Sequence, residues 1–341
     1  MRVYLVRRLL LLIPTLLGIT AVCFTLIQFV PGGPVEELIA RVRAQSAMEG
    51  GGGVASQQQQ ITEDEIENIR AYYGFDKPAI TRYFEWLGKV VRFDLGTSYF
   101  YEEPVWDVIK SKFPISLFFG LVSFVLSYSV CIPLGLYKAM WNRSRFDLIS
   151  SIMIFAGYII PGYALGILLI IFFSGGSYLD WFPLGGIVSE NFESMGFWEG
   201  TFDFLHHMCL PLICFMASEF AFLTMLMKNS LLEEIRKEYV RTAMFKGAGF
   251  NRAVWKHALR NALIPLATRM SEIFTLMFTS ALLIEKVFDI DGMGLLVYNS
   301  ILSRDYNVVL GVILISSIMA LLGRLFSDIL YITIDPRIKF N

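Results

Sequence analysis

Six long apolar segments constrain the fold of this 341-residue chain more than any other feature. The hydrocarbon core of a bilayer is about 30 Å thick, so a helix that crosses it needs about 20 apolar residues. Six segments reach that length: 9–30, 115–136, 148–173, 208–227, 263–284 and 308–332. Because backbone polar groups cannot stay unpaired in lipid, these segments predict an all-α polytopic membrane protein with six transmembrane helices.

The distribution of lysine and arginine predicts the orientation of the chain. Sixteen of these residues lie in four segments of 63 residues in total: 1–8, 137–147, 228–262 and 333–341. The short loops on the other side, 174–207 and 285–307, hold only two in 57 residues. Since positive residues accumulate on the cytoplasmic side, both termini are expected in the cytoplasm. The predicted parts are the first span with its tip, an external segment, the membrane core and a tail: 1–30, 31–114, 115–332 and 333–341.

The external segment, 31–114, is predicted to form a small helical domain after the first span. Residues 45–60 are of low complexity and indicate a linker. A capping box at Thr62 starts one helix, and apolar residues from Ile80 to Val91 recur at the spacing of a second, amphipathic helix. The segment is too small for an enzyme domain. A lid over the helix bundle and a docking surface for an external protein are both compatible with it.

Residue patterns that support catalysis are missing from the sequence. It has no glycine-rich phosphate loop, and its three histidines, His206, His207 and His257, form no H-E-x-x-H zinc motif. The four cysteines fall in apolar segments without a C-x-x-C pair, so they indicate core residues and no metal site. An enzyme or a nucleic-acid-binding protein is therefore not expected. A stand-alone secondary transporter or channel for a small polar solute is the alternative to a subunit of a larger transporter.

Five charged residues fall at predicted membrane depth, where a charge that faces lipid is costly. They are Glu219, Arg269, Glu272, Arg324 and Asp328. Arg269 and Glu272 are three residues apart, and Arg324 and Asp328 are four apart, so each pair can share a helix face. Glu219 has no partner nearby in the sequence. Glu219, Arg269 and Glu272 are therefore candidates for the substrate pathway, whereas Arg324 and Asp328 are candidates for a structural ion pair.

The longest basic segment, 228–262, predicts two short helices that meet at a glycine. Apolar residues from Leu231 to Ala243 recur at helical spacing, Gly247 interrupts the pattern, and a basic helix follows. Such a helix pair projects from the membrane, where a partner protein can displace it. A chain without ATPase motifs could receive mechanical work in this way.

Two motifs stand out in this segment, YVRTAMFKG at 239–247 and HALRNALIP at 257–265. They resemble the EAA coupling loop of ABC importer permeases, in the form found in peptide transporters. Shorter motifs extend the resemblance over nearly the whole chain: RRLL (7–10), PGGP (31–34), YGFDKP (73–78), FDLG (93–96), EKVF (285–288), GMG (292–294), RDY (304–306) and DPRI (335–338). Within this oligopeptide and dipeptide transport family, the chain most resembles the Yej-type branch, which is associated with peptide import and uptake of the peptide-nucleotide antibiotic microcin C.

The resemblance implies a type I ABC importer permease fold in a bacterial inner membrane. In such an importer, two homologous permeases form the pathway, a periplasmic binding protein delivers the peptide, and a cytoplasmic ABC ATPase binds ATP and Mg²⁺. This chain is then expected to hold no cofactor or metal of its own and to act by alternating access. The secondary-transporter alternative expects inverted internal repeats, which the sequence lacks.

Position by position, the resemblance assigns the contact with the ATPase to five residues. Ala243 and Gly247 match the small residues of the loop, and Tyr239, Arg241 and Lys246 would meet the groove of the ATPase. Arg241 stands where the general motif opens with glutamate. Replacing Gly247 with aspartate is expected to leave membrane insertion intact and to abolish uptake.

Overall fold

The computed structural model describes residues 2–29, 77–175, 178–271, 273–274 and 281–334, and most of them are helical. The α-helices are α1 Arg2–Gln28, α2 Ala79–Val90, α3 Val105–Met140, α4 Arg145–Ile159, α5 Gly162–Phe173, α6 Phe197–Ile235, α7 Glu238–Phe245, α8 Phe250–Ala253, α9 Leu259–Ala262, α10 Ile264–Arg269, α11 Leu282–Val287, α12 Met293–Leu302 and α13 Tyr306–Ile334. A π-helical turn, Val254–Ala258, joins α8 to α9. The predicted all-α class is confirmed for the described residues.

Within the described residues, four helical stretches are long and apolar enough to cross a bilayer: Arg7–Gln28, Val105–Met140, Phe197–Ala217 and Tyr306–Leu330. The pair formed by α4 and α5 is a fifth candidate, with a bend of 98° between the two helices. These five overlap five of the six predicted segments. The remaining segment, 263–284, contains Glu272 and residues 275–280, which lie outside the described residues. The sixth span therefore stays a prediction.

Proline explains why the segment predicted as one span over 148–173 is broken. α4 ends at Ile159, and α5 begins at Gly162, directly after Ile160 and Pro161. Proline has no N–H and disfavours a helical conformation in the residue before it, and Ile160 is extended with ψ 120°. The segment predicted as one span therefore consists of two helices that meet at Pro161. Other prolines lie inside continuous helices: Pro14, Pro133 and Pro211.

The chain divides into two compact units, of which the first consists of Met1–Leu9, Phe113–Leu295 and Met319–Asn341. Two apolar cores of this unit lie along α6. One surrounds its N-terminal half and includes the buried Phe119, Cys214 and Phe288. The other surrounds its C-terminal end and includes Leu136, Leu231 and Val254. α6 is therefore the helix around which the described part of this unit is organised.

The second unit consists of Leu10–Lys112 and Leu296–Ile318. The amphipathic helix predicted from Ile80 to Val91 is confirmed as α2, whose Trp86 is buried against Phe24 and Leu310. The linker at 45–60 and the helix predicted after Thr62 lie outside the described residues.

Asp305 is a fully buried carboxylate in the second unit. It accepts hydrogen bonds from the Ser98 hydroxyl, from the backbone N–H of Phe100 at 3.2 Å and from that of Val308 at 3.4 Å. The last of these belongs to the first turn of α13, so Asp305 caps that helix. The RDY motif thus has a structural role: it fixes the turn near residue 100 to the start of α13.

Candidate functional site

The segment 228–262 contains the predicted pair of short helices around a glycine. α7 ends at Phe245, Gly247 follows, and the chain is helical again from Phe250 onward. One detail differs: the apolar pattern from Leu231 to Ala243 belongs to two helices. α6 ends at Ile235, and Lys237 is extended and precedes α7.

Gly247 ends α7 in a conformation that favours glycine. Its φ is +91°, in the left-handed region. Its N–H donates to the carbonyl of Met244 at 2.9 Å, and the N–H of Ala248 donates to the carbonyl of Ala243 at 3.1 Å. These two bonds are the Schellman arrangement, which satisfies the last carbonyls of a helix. A Cβ at this position would meet no atom within 4 Å, so packing does not call for glycine here. Glycine is favoured because of the backbone conformation.

A buried glutamate holds α7 in place. Glu234, at the end of α6, is 8% exposed. One of its oxygens accepts from the Tyr239 hydroxyl at 2.5 Å, and the other accepts from Lys237 Nζ at 2.6 Å. The Asn261 amide donates to the same hydroxyl of Tyr239 at 3.0 Å. The network joins α6, α7 and α9.

The same network changes the ionisation of its members. Burial and the hydrogen bond to Glu234 raise the pKa of Tyr239 to about 12. The hydrogen bond to Glu234 also raises the pKa of Lys237 above its usual value. At neutral pH the phenol is thus a hydrogen-bond donor and the ammonium is charged.

A small apolar core lies beneath the two helices. Val240 and Val254 are fully buried, as are the small residues Ala258 and Ala262. The carbonyl of Ala262 accepts a hydrogen bond from Ser230 of α6 at 2.9 Å. Because small side chains allow close approach, the segment packs directly on the last turns of α6.

The outer surface of this segment is aromatic and basic, and we call it the coupling surface. It consists of the exposed side chains of Arg241, Phe245, Lys246, Phe250, Arg252, Trp255 and Lys256. Phe245 is 90% exposed and Trp255 is 53% exposed. A group of exposed large aromatic side chains is a candidate interaction site.

The five residues predicted to meet the ATPase lie in or beside this surface. Arg241, Lys246 and Gly247 are exposed, Tyr239 is 38% exposed, and Ala243 is half-buried. The hydroxyl of Tyr239 is directed inward to Glu234. Sequence reasoning missed Phe245 and Trp255, although aromatic residues within a basic, polar loop were a usable signal.

Two of the charged residues predicted at membrane depth meet across different helices. Glu219 of α6 pairs with Arg269 of α10 at 3.7 Å, and the guanidinium of Arg269 lies 4.6 Å from the ring centre of Phe222. Glu219 therefore has a distant partner that its sequence neighbourhood did not reveal. Glu272, the predicted partner of Arg269, lies outside the described residues.

The pairing predicted within the last helix differs from the one observed. Asp328 forms an ion pair with Arg8 of α1, and the Arg324 side chain is exposed. Arg8 lies far from Asp328 in the sequence, so spacing along one helix could not indicate this contact.

A buried cluster of three charges was not predicted. Asp147, in the first turn of α4, accepts hydrogen bonds from Lys228 of α6 at 2.7 and 2.8 Å. Lys138 of α3 lies 3.2 Å from the same carboxylate. Lys138 is fully buried, Asp147 is 6% exposed and Lys228 is 9% exposed.

Glu285 accounts for the EKVF and GMG motifs. Its fully buried carboxylate accepts from the backbone N–H of Gly294 at 3.4 Å and from that of Leu295 at 2.6 Å, at the start of α12. A Cβ at Gly292 would overlap this carboxylate. The two motifs therefore form a capped helix start, a structural role.

Comparison with known proteins agrees with these features. Residues 131–340 match the family described as "Binding-protein-dependent transport system inner membrane component". The chain is 41% identical to the "Peptidoglycan transport system permease protein YejB" of Agrobacterium fabrum, over 100% of this chain and 99% of that protein.

Two further relatives are similar over their full length. The "Inner membrane ABC transporter permease protein YejB" of Escherichia coli O157:H7 is 43% identical, with 100% of both chains covered. The "Oligopeptide transport system permease protein AppB" of Bacillus subtilis is 33% identical, also with 100% of both chains covered. The chain therefore belongs to the family of binding-protein-dependent transport system inner membrane components, as its motifs predicted.

Proposed function

We propose that this chain is a permease subunit of an ABC importer that moves peptides inward across a bacterial inner membrane. Permease components of this family are non-catalytic and act with a separate ATPase. The observation that carries the proposal is the coupling surface: a helix pair that packs on the apolar helix α6 and leaves the side chains of Phe245 and Trp255 exposed. A second homologous permease and a periplasmic binding protein complete the proposed assembly.

In this proposal the coupling surface binds the ATPase, and the ATPase in turn binds ATP and Mg²⁺. The exposed aromatic side chains would enter an apolar groove, while Arg241 and Lys246 would meet acidic or polar residues at its rim. Tyr239 and Ala243 then position the surface. Both termini and the segment 228–262 lie in the cytoplasm, and the segment 31–114 lies outside.

Replacement of one exposed phenylalanine tests the coupling surface. Phe245→Asp is expected to abolish co-purification of the ATPase with the tagged permease in mild detergent, because it places a charge in the proposed contact. The matched control is Phe197→Asp, at the other end of α6, where the side chain is 79% exposed. It should retain the ATPase. Equal recovery of the ATPase with both variants would contradict the assignment.

The same purification separates the two classes of transporter. A permease of the proposed kind should bring down a second membrane subunit and an ATPase, as identified by mass spectrometry. A chain that is stable and transports its substrate alone would support the secondary transporter or channel instead.

The substrate class is proposed from the relatives. Two of them are named for transport of oligopeptides and peptidoglycan, and this chain resembles the Yej-type branch. We infer that it imports short peptides, with peptidoglycan-derived peptides and the peptide-nucleotide microcin C among them. In a strain without its own permease, the chain and its partners should restore uptake of a labelled tripeptide and sensitivity to microcin C. Competition by a peptidoglycan tetrapeptide, against an L-peptide of equal length, would rank the two peptide classes.

A further inference from the structure

Three charged side chains meet in the interior of the first unit: Lys138, Asp147 and Lys228. They come from the end of α3, the first turn of α4, and α6 two turns before its C-terminal end. Lys228 donates to both carboxylate oxygens of Asp147, at 2.7 and 2.8 Å. The backbone N–H of Arg143 donates to the same carboxylate at 3.0 Å.

The ammonium of Lys138 is satisfied without Lys228. It donates to the carbonyl of Asp147 at 2.9 Å and to the hydroxyls of Ser150 and Ser151 at 2.7 and 2.8 Å. It also lies 3.2 Å from the Asp147 carboxylate. Lys138 and Asp147 thus form a neutral buried pair, to which Lys228 adds a second cation. Without the charge of Lys228, Asp147 would therefore still have a buried cationic partner in Lys138.

Lys228 lies in the part of α6 that carries the coupling surface. Its neighbours Met227 and Leu231 are fully buried in the apolar core that also contains Val240 and Val254. The same two turns of α6 therefore contact the coupling helices through apolar side chains and α4 through an ion pair. α4 is in turn the first helix of the pair that is bent by 98°.

We propose that the Lys228–Asp147 ion pair transmits movement of the coupling surface to the bent pair of α4 and α5. Lys228 and Asp147 are thus positioning residues for transport: they make the movement of α4 follow that of α6. Lys138, 3.2 Å from the carboxylate of Asp147, helps to orient it for this contact. The inference rests on the proposed function, because it requires that an ATPase displaces the coupling surface.

The test is Lys228→Met in the complete transporter, reconstituted with its ATPase and binding protein in proteoliposomes. Methionine preserves the apolar stem of the side chain and leaves the neutral pair of Lys138 with Asp147, so the variant is expected to fold and assemble. ATP hydrolysis should stay within about twofold of wild type, because the ATPase contact is intact. ATP-driven uptake of a labelled tripeptide should fall at least tenfold, so that fewer peptides enter per ATP hydrolysed.

Two further variants separate transmission from general stability. Lys110→Met removes an exposed ion pair with Asp107 and should leave the number of peptides per ATP unchanged. Asp147→Asn should lower the recovery of assembled transporter as well as uptake, because it also leaves the buried ammonium of Lys138 without its carboxylate, whereas Lys228→Met should lower uptake alone. A Lys228→Met variant with the wild-type ratio, or with hydrolysis and uptake reduced equally, would overturn the inference. Failure of the wild-type assembly to show ATP-driven uptake would overturn the proposed function instead.

Discussion

Gly247 and its neighbour Gly249 allow the cost of a left-handed backbone conformation to be tested without a change in packing. Gly247 and Gly249 lie two residues apart, and a Cβ at either position would meet no atom within 4 Å. Their φ angles differ: Gly247 is at +91° and Gly249 is at −60°. Serine adds the same atoms at both sites. At position 249, which precedes α8, serine is a favoured N-cap residue.

The expected magnitude follows from that difference. A side chain in the left-handed region costs about 1–2 kcal/mol, which is a factor of about 5–30 in an equilibrium. In Gly247→Ser, the Schellman turn should therefore open about 5–30 times more often than in wild type. In Gly249→Ser, the turn should open as often as in wild type or slightly less often.

Hydrogen exchange followed by mass spectrometry measures this equilibrium directly. The amide of Ala248, which donates to Ala243 at 3.1 Å, should exchange faster in Gly247→Ser by the factor given above and at the wild-type rate in Gly249→Ser. Gly247→Asn should lie between wild type and serine, because asparagine tolerates the left-handed region. Equal exchange in both serine variants, or faster exchange in Gly247→Asn than in Gly247→Ser, would refute the reasoning.

Comparison of Gly247→Asp with Gly247→Asn separates two causes of the expected loss of uptake, the added charge and the strained turn. Aspartate and asparagine have nearly the same shape and a similar tolerance of positive φ. A difference in peptide uptake between Gly247→Asp and Gly247→Asn therefore reports the added negative charge at the coupling surface. The loss that they share reports the turn.

Three further changes have defined outcomes. Gly135→Ala should lower the melting temperature in detergent, because the new Cβ would lie 2.6 Å from Cβ of Met227 and such overpacking costs about 1–3 kcal/mol. The control Gly157→Ala, whose Cβ would meet no atom within 4 Å, should not lower it. Asp305→Ala should cost about 1–2 kcal/mol as a lost cap and accelerate amide exchange in the first turn of α13; unchanged exchange there would contradict the capping role. The phenol of Tyr239 should titrate near pH 12 rather than 10, as measured by the difference in absorbance at 295 nm between wild type and Tyr239→Phe. Because its pKa is raised in the folded state, its contribution to stability is fully present below pH 10 and is lost as the pH rises through 12.

Patterns that repeat within one segment were predicted well from the sequence. The spacing of apolar residues located α2, and the glycine between two amphipathic runs located the turn at Gly247. Both depend on contacts between residues close in the chain. The family motifs also carried information, because Asp305 and Glu285 each cap a helix with a buried carboxylate whose loss would leave backbone N–H groups unpaired.

Partners between helices were not predictable by the same route. The rule that charges three or four residues apart pair on a helix selected Arg324 for Asp328, whereas the observed partner is Arg8. Glu219 and Arg269 are 50 residues apart, and Lys228 and Asp147 are 81 apart. Which helix faces are in contact depends on packing, and a single sequence contains no direct record of it.

The continuity of α6 has a geometric consequence. Its 39 residues correspond to about 58 Å, almost twice the thickness of the hydrocarbon core. Pro211 removes one backbone hydrogen bond and is the place where the rod bends most easily. A bend of about 5° there displaces Ile235, some 36 Å further along, by about 3 Å. The position of this proline therefore determines how far Ile235 is displaced per degree of bend. Moving the proline one turn towards the C-terminus would reduce that displacement by roughly 15%.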